Sequence, residues 1–393
     1  MVQASRSVLL AASGVIVSLL LGGGLVVKVG AAEGSQRQAV LFAEVLSQVM
    51  DNYVDPVEAD GLLRGAYDGM LASLDPNGAY LPPAEVARWR ANSARAGSAG
   101  DPGFDVLKSG TSIQVVSVAA GSAAAEAGVR VGDHVRSVDG VVVRTLSLVQ
   151  ARWLIEGAPG SSVHIELLRA GEGFDRVELD LVRALRGAPG YELTVERGTA
   201  VLHLRDLRGL PLAELGQELD HARSRRVDRL LIDLRNLAGV HPRDAARVAA
   251  AFVAQPRLEL RDRSRRLVEL IETEAPILWN GSLSVLVNRA TAEGAEALAL
   301  LLRDRAGAKI FGETTFGLGA EPTLFELQNG AGLLLSSALW ETPDGDSWHE
   351  RGVAPDEEVR GEGRDFASVS SDQLKRVLER LEATAPGELP EAA

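Results

Sequence analysis

The chain has 393 residues, and 41 Lys+Arg against 54 Asp+Glu leave a formal charge of −13 at neutral pH, which argues against a nucleic-acid or anionic-membrane binder. With 46% hydrophobic and 24% charged residues, disordered and fibrous classes are excluded, and the length suits two or three domains. There is no cysteine, which removes disulfide staples, thiolate metal sites and a cysteine nucleophile. Only four lysines occur, Lys28, Lys108, Lys309 and Lys375.

Residues 1–32 read as targeting. The uncharged stretch Val8 to Val27 has the roughly 20 apolar residues that a spanning helix needs, and small residues follow in VGAAEG (Val29 to Gly34). It is either a retained anchor or a cleaved signal, and either places the remainder outside the cytoplasm. A helical region, 36–97, comes next. Leu41, Val45 and Val49, flanked by Phe42, Leu46 and Met50, recur at helical spacing and form a face that requires a partner. A second helix is predicted from Glu58 to Ser73, stopped by Asp75-Pro76-Asn77-Gly78, and a third after Pro82-Pro83. Asn92 to Gly103 is small and polar, as in a linker.

Residues 98–186 form a small, mostly β segment. Apolar runs such as TSIQVVSV and SSVHIELL are separated by turn signals at Ala120-Gly121, Asp139-Gly140, Pro159-Gly160 and Gly171. Short helices are expected around Ala123 to Ala127 and Leu148 to Ile155.

From Gly190 strand and helix alternate: a strand over Thr199 to Leu207, a helix over Pro211 to Arg225, and a strand over Arg229 to Leu234 buried on both faces. Helices near 243–252 and 292–303 and strands at 284–287 and 308–312 follow. Such alternation predicts a largely parallel sheet covered by helices. TLFEL and GLLLSSALW read as a hairpin, a helix closes the chain near Asp372 to Leu381, and 385–393 is a flexible tail.

The segment 98–186, with AGVRVGD, a DG turn and EGAPGSS in order, resembles a PDZ domain. Together with NYVDPV, LDPNGAYL, LLIDLRNLAG, SVLVN, GETTFGLG, TPDGDSW and GVAPDEEV, it makes the chain similar to the carboxyl-terminal processing peptidases, or tail-specific proteases. The resemblance implies a mixed α/β fold, with a crotonase-like α/β core (187–384), an inserted mostly-β PDZ domain and an N-terminal helical region. A PDZ domain adds a C-terminal peptide as a strand, its carboxylate held by backbone N–H groups. The resemblance makes Gly103, Phe104, Asp105 and Val106 the peptide-binding loop and strand, with Leu148 and Leu154 lining the opposite wall. Phe104→Asp is then expected to abolish tail binding with the melting curve nearly unchanged. It also implies protein C-terminal tails as partners and a place in the cell envelope, anchored in the inner membrane facing the periplasm or secreted there.

The same comparison removes the family's chemistry. Where the family has GSASASE, with a serine nucleophile, this chain has ATAEGAE, and Glu293 holds that place. The general-base lysine of TFGKG is Leu318, 25 residues on, the family's own separation. A supporting glutamine is Pro322, and a turn glycine beside the oxyanion hole is Val240. A serine attacks only when a base takes its proton, and leucine takes none. A glutamate in a helix's first turn is stabilising instead, by about 0.3–1 kcal/mol. No catalytic residue is therefore assigned by resemblance, and neither cofactor nor metal is implied. The expected function is tail binding on an inactive peptidase scaffold, with an active paralogue or a cell-wall hydrolase as further partners. Proteolysis by other residues, with Thr291 or His241 in view, is the alternative. A crotonase-like enzyme with Glu293, Glu296 or Glu313 as base is a third reading.

Overall fold

The computed structural model describes residues 33–94, 99–119, 121–170, 173–185, 190–363 and 366–383. The expected targeting segment, part of the linker (95–98), the expected turn residues Ala120 and Gly171, and the tail lie outside them. The chain divides into two compact units, one reaching Gly65 and the other starting at Ala66.

The first unit holds helix α1 (Glu33–Asn52) and the start of α2 (Ala59–Ala72). Its apolar stripe is present, but Leu41, Phe42, Val45 and Met50 are all exposed.

In the second unit, α2 is closed by the turn at Asp75, whose Oδ1 accepts the N–H groups of Asn77 and Gly78 at 2.7 and 3.0 Å. Strand β1 (Ala79–Leu81) and helix α3 (Pro83–Ala94) follow. The PDZ-like module comprises β2 (Phe104–Ser109), β3 (Ser112–Val118), α4 (Ala123–Glu126), β4 (His134–Val138), β5 (Val141–Val142), α5 (Leu148–Ile155), β6 (Ser162–Ala170) and β7 (Phe174–Val182). Its antiparallel sheet runs β2-β3-β4-β6-β7, with β5 on β4. Ser147 starts α5 with a capping box: its hydroxyl accepts from Gln150 N at 3.2 Å, and Gln150 Oε1 accepts from Ser147 N at 3.0 Å.

The remainder is built from β8 (Tyr191–Glu196), β9 (Thr199–Leu204), α6 (Leu212–Ser224), β10 (Arg229–Asp233), α7 (Pro242–Ala249), β11 (Arg257–Asp262), β12 (Leu267–Glu272), β13 (Ser282–Val287), α8 (Gly294–Ala306), β14 (Lys309–Gly312), β15 (Ala320–Glu326), β16 (Gly332–Glu341), β17 (Glu357–Glu358) and α9 (Phe366–Ala383). The main sheet is ordered β17-β14-β13-β10-β9-β8 and is parallel except for β8 on β9. Strand β10 lies at its centre, and the period of two gives it two apolar faces. Leu230 and Ile232 enter the largest core cluster, while Leu231 packs with Val377, Leu378 and Leu381 of α9. A second, antiparallel sheet runs β1-β16-β11-β12, with β15 on β16.

The structure adds to the sequence reading in three places. Helix α9 begins at Phe366 rather than near Asp372. Strand β9 is preceded by β8 across the turn Arg197-Gly198, both at positive φ (49° and 73°), the geometry of a tight hairpin. The β11–β12 pair escaped prediction because RLELRD and LVELIE mix charge and apolar residues without strong turn glycines.

Candidate functional site

The site forms where the end of β10, the start of α8, the TFGLG loop and the PDZ-like module meet. Asp233 closes β10 at 0% exposure and is gripped by Arg235, with Nε to Oδ1 at 2.8 Å and Nη2 to Oδ2 at 2.6 Å. Burial alone would raise this carboxyl, but the Arg235 charge and His203 hold it far below the usual carboxylate range. Arg235 also donates to the Ser370 carbonyl and to Gln373 of α9. The turn that follows is pinned by Asn288, which exchanges hydrogen bonds with Asn236 (3.1 and 2.8 Å).

That turn presents Gly239 at φ +73°. A Cβ there would lie 3.0 Å from Asp105 Oδ1 of the PDZ-like module, so glycine suits both the conformation and the close approach. Its N–H donates to Glu293 Oε2 at 2.5 Å. The next residue, Val240, is buried, and its carbonyl accepts from Gly294 N at 2.9 Å.

Glu293 caps α8 with φ 59° and ψ −123°, a backbone state that costs a non-glycine residue on the order of 1–3 kcal/mol. Arg152 of α5 holds its carboxylate in a fork, Nη1 to Oε1 at 2.7 Å and Nη2 to Oε2 at 3.1 Å, and also donates to the Val106 carbonyl at 3.2 Å. Burial opposes the Arg152 charge, but Glu293 outweighs it and keeps the guanidinium firmly protonated.

Glu296, one turn on, is fully buried. Its carboxylate accepts the N–H groups of Glu293 (2.9 Å), Gly317 (2.6 Å) and Leu318 (2.9 Å) and the Thr315 hydroxyl. Burial pushes this carboxyl up to about 7, against the downward pull of those bonds. Since Oε2 is shared by Glu293 N and Leu318 N, the positions that the resemblance gives to serine and lysine adjoin at their backbones. The Leu318 side chain is buried in a cluster with Ala292, Ala238 and PDZ-like residues.

Of the four expected tail-binding residues, Phe104, Asp105 and Val106 line a cleft of about 140 Å³ with Arg152, Ile155 and Gly239. Gly103 stands at φ +93° with no room for a Cβ beside Ser122, and its N–H goes to Asp101 Oδ1 at 2.7 Å. Two expectations change. The residues of α5 that line the cleft include Arg152 and Ile155, whereas Leu148 and Leu154 pack in the module's hydrophobic cluster. Phe104 is 3% exposed and belongs to the core of its module, so Phe104→Asp would break the fold as well as the groove. Phe104→Leu keeps most of the volume and is expected to cost about 1 kcal/mol, read as a small fall in the thermal midpoint.

The alternative bases and nucleophiles are placed as follows. Thr291 Oγ1 is buried and committed, donating to the Leu234 carbonyl (2.9 Å) and accepting from Asn288 N (3.0 Å). Glu313 pairs with Arg289 at 3.0 Å. His241 caps α7, its Nδ1 accepting from Arg243 N at 3.1 Å, which leaves Nε2 toward Glu321 Oε2 at 3.7 Å. Pro322 sits at a register shift of β15, a strand that among the described residues pairs only with β16, where a missing N–H is tolerated.

Residues 198–359 match the family model for peptidase family S41, and 114–169 match a PDZ domain model. The chain is 27% identical over 328 residues to the carboxy-terminal processing protease CtpA of Bacillus subtilis, covering 82% of this chain and 68% of that one. It is 28% identical over 312 residues to the carboxyl-terminal-processing protease of Synechocystis, covering 78% and 73%. Among solved structures, the photosystem II D1 C-terminal processing protease aligns with a TM-score of 0.59 at 27% identity, over 81% of this chain and 92% of that one. Over most of its length the chain is thus similar to carboxyl-terminal processing proteases, and residues 198–359 carry the peptidase family S41 match.

Where the resemblance places a serine and a lysine, the chain has a clamped carboxylate and a buried leucine. The sequence reading missed Arg152. Its signal was a lone arginine between Leu148 and Ile155 on the inward face of a short apolar helix. It weighed Glu296 only as a base, whereas the residue organises the loop that carries Leu318.

Proposed function

We propose that this chain holds protein C-terminal tails in its PDZ groove and does not cut them by the family's route. The carrying observation is the pair of substitutions in place: Glu293 is bonded by Arg152 and Gly239 N–H, and Leu318 is apolar. Neither the hydroxyl nucleophile nor the amine base of the family's route is present at those two positions. The match to a PDZ domain model supports tail binding. The apolar run Val8 to Val27 supports an envelope location facing the periplasm, although it lies outside the described residues. An active peptidase paralogue or a cell-wall hydrolase is the partner class that such a tail holder would serve.

The test is incubation of the full chain, purified in detergent, with an unstructured reporter ending in an apolar residue and a free carboxylate. Intact-mass spectrometry is expected to find the reporter at full length, since loss of a nucleophile alone lowers kcat by on the order of a millionfold, and the reporter is expected to co-elute with the chain. Shortening absent from a mock preparation would overturn the proposal. It would favour a second reading, proteolysis through His241, whose Nε2 is turned to Glu321. Cleavage that survives Glu293→Ala and disappears in His241→Ala would establish that reading.

A further inference from the structure

The groove between β2 and α5 is closed in this structure. Its cleft of about 140 Å³ is well below the roughly 300–1,000 Å³ of ordinary ligand sites. Arg152 reaches across it from α5 to the Val106 carbonyl on β2, a strand group facing the place where an added strand would pair. From the other side Glu293 takes both guanidinium branches, and its Oε2 also accepts the Gly239 N–H. A fork from arginine plus a backbone N–H is the donor set that suits a peptide's terminal carboxylate. Here a side chain of the same polypeptide supplies that carboxylate. Glu293 does so from φ 59°, an uncommon backbone state for a glutamate that the surrounding donors hold in place.

We infer that Glu293 is an internal stand-in for a tail's α-carboxylate, a latch that fastens the PDZ module shut against the core until an arriving tail takes Arg152 from it. The inference rests on the tail-binding reading above. A serine at this position has no carboxylate, so the latch is created by the substitution itself. Tail affinity is then reduced by the fraction of molecules in the latched state, and removal of Glu293's charge restores it.

The experiment uses the full chain in detergent. Because the sequence has no cysteine, Val142→Cys on β5 and Gln328→Cys in the β15–β16 turn, both exposed, give a dye pair between module and core. Glu293→Gln preserves shape and removes charge, and Glu293→Ala is its control. Without peptide, Glu293→Gln is expected to shift energy transfer away from the latched value. A labelled peptide with an apolar last residue and a free carboxylate is expected to bind it about five- to fiftyfold more tightly than the unsubstituted chain, and its C-terminal amide is expected to gain nothing. Identical energy transfer in Glu293→Gln, Glu293→Ala and the unsubstituted chain would overturn the latch, whatever the peptide does. Altered energy transfer with no peptide bound by any of the three would leave the latch standing and remove the tail-binding reading, together with the competition built on it.

Discussion

Glu296→Ala is expected to lower the unfolding free energy by at least about 4 kcal/mol, because each buried donor left without an acceptor costs about 1–3 kcal/mol. Three N–H groups and one hydroxyl, from Glu293, Gly317, Leu318 and Thr315, lose their acceptor at once. Chemical denaturation of the purified chain measures it, and a loss below about 1 kcal/mol, within the ordinary range for a single hydrogen bond, would show that the loop has other support. The same residue sets a pH dependence. Its carboxyl lies up at about 7 in the fold, above its ordinary 4.5, so the folded state favours the protonated form. Its stabilising contribution is complete below about pH 4.5 and is lost as the pH rises through 7, a change of about 3 kcal/mol across the window. Asp233, held low in the fold, acts with opposite sign, its contribution being lost only in stronger acid. Thermal melts are therefore expected to fall from pH 5 to pH 7.5, with the slope reduced in Glu296→Gln.

Arg235→Ala is expected to cost about 3–5 kcal/mol, the range for breaking a buried ion pair from one side. It leaves Asp233 fully buried with the backbone N–H of residue 235 (3.1 Å to Oδ1) and His203 (Nδ1 to Oδ2, 3.3 Å) in partial support and removes the bonds to Ser370 and Gln373 that dock α9. The turn from Asn236 to Gly239 begins at this residue, so the effect extends to the site. Hydrogen exchange at the Gly239 amide is expected to rise along with the fall in stability. A destabilised variant that keeps Gly239 protected would show that Asn288 alone positions the turn.

Much of the architecture was legible in advance. The α/β alternation after Gly190 shows in the apolar run of β10, whose residues are buried on both sides, and the PDZ-like segment shows in the order of its strands, turns and short helices. The charged β11–β12 hairpin was not legible, because its turn closes without glycine: Asp262 Oδ1 accepts the N–H groups of Ser264 and Arg266, and Arg265 takes φ 63°. The exposed stripe of α1 was predicted as a face, and its exposure is a fact of placement rather than of period.

At the site, the identities of Glu293 and Leu318 came from the sequence, since chemical capacity belongs to the residue: a leucine takes no proton wherever it lies. That Glu293 is clamped by Arg152, 141 positions earlier, and shares Glu296 with Leu318 was decided only by tertiary structure. Ion pairs and hydrogen bonds act over a few ångströms, and which groups come within that reach is set by how the sheet, the helix α8 and the PDZ-like module pack, not by their spacing along the chain.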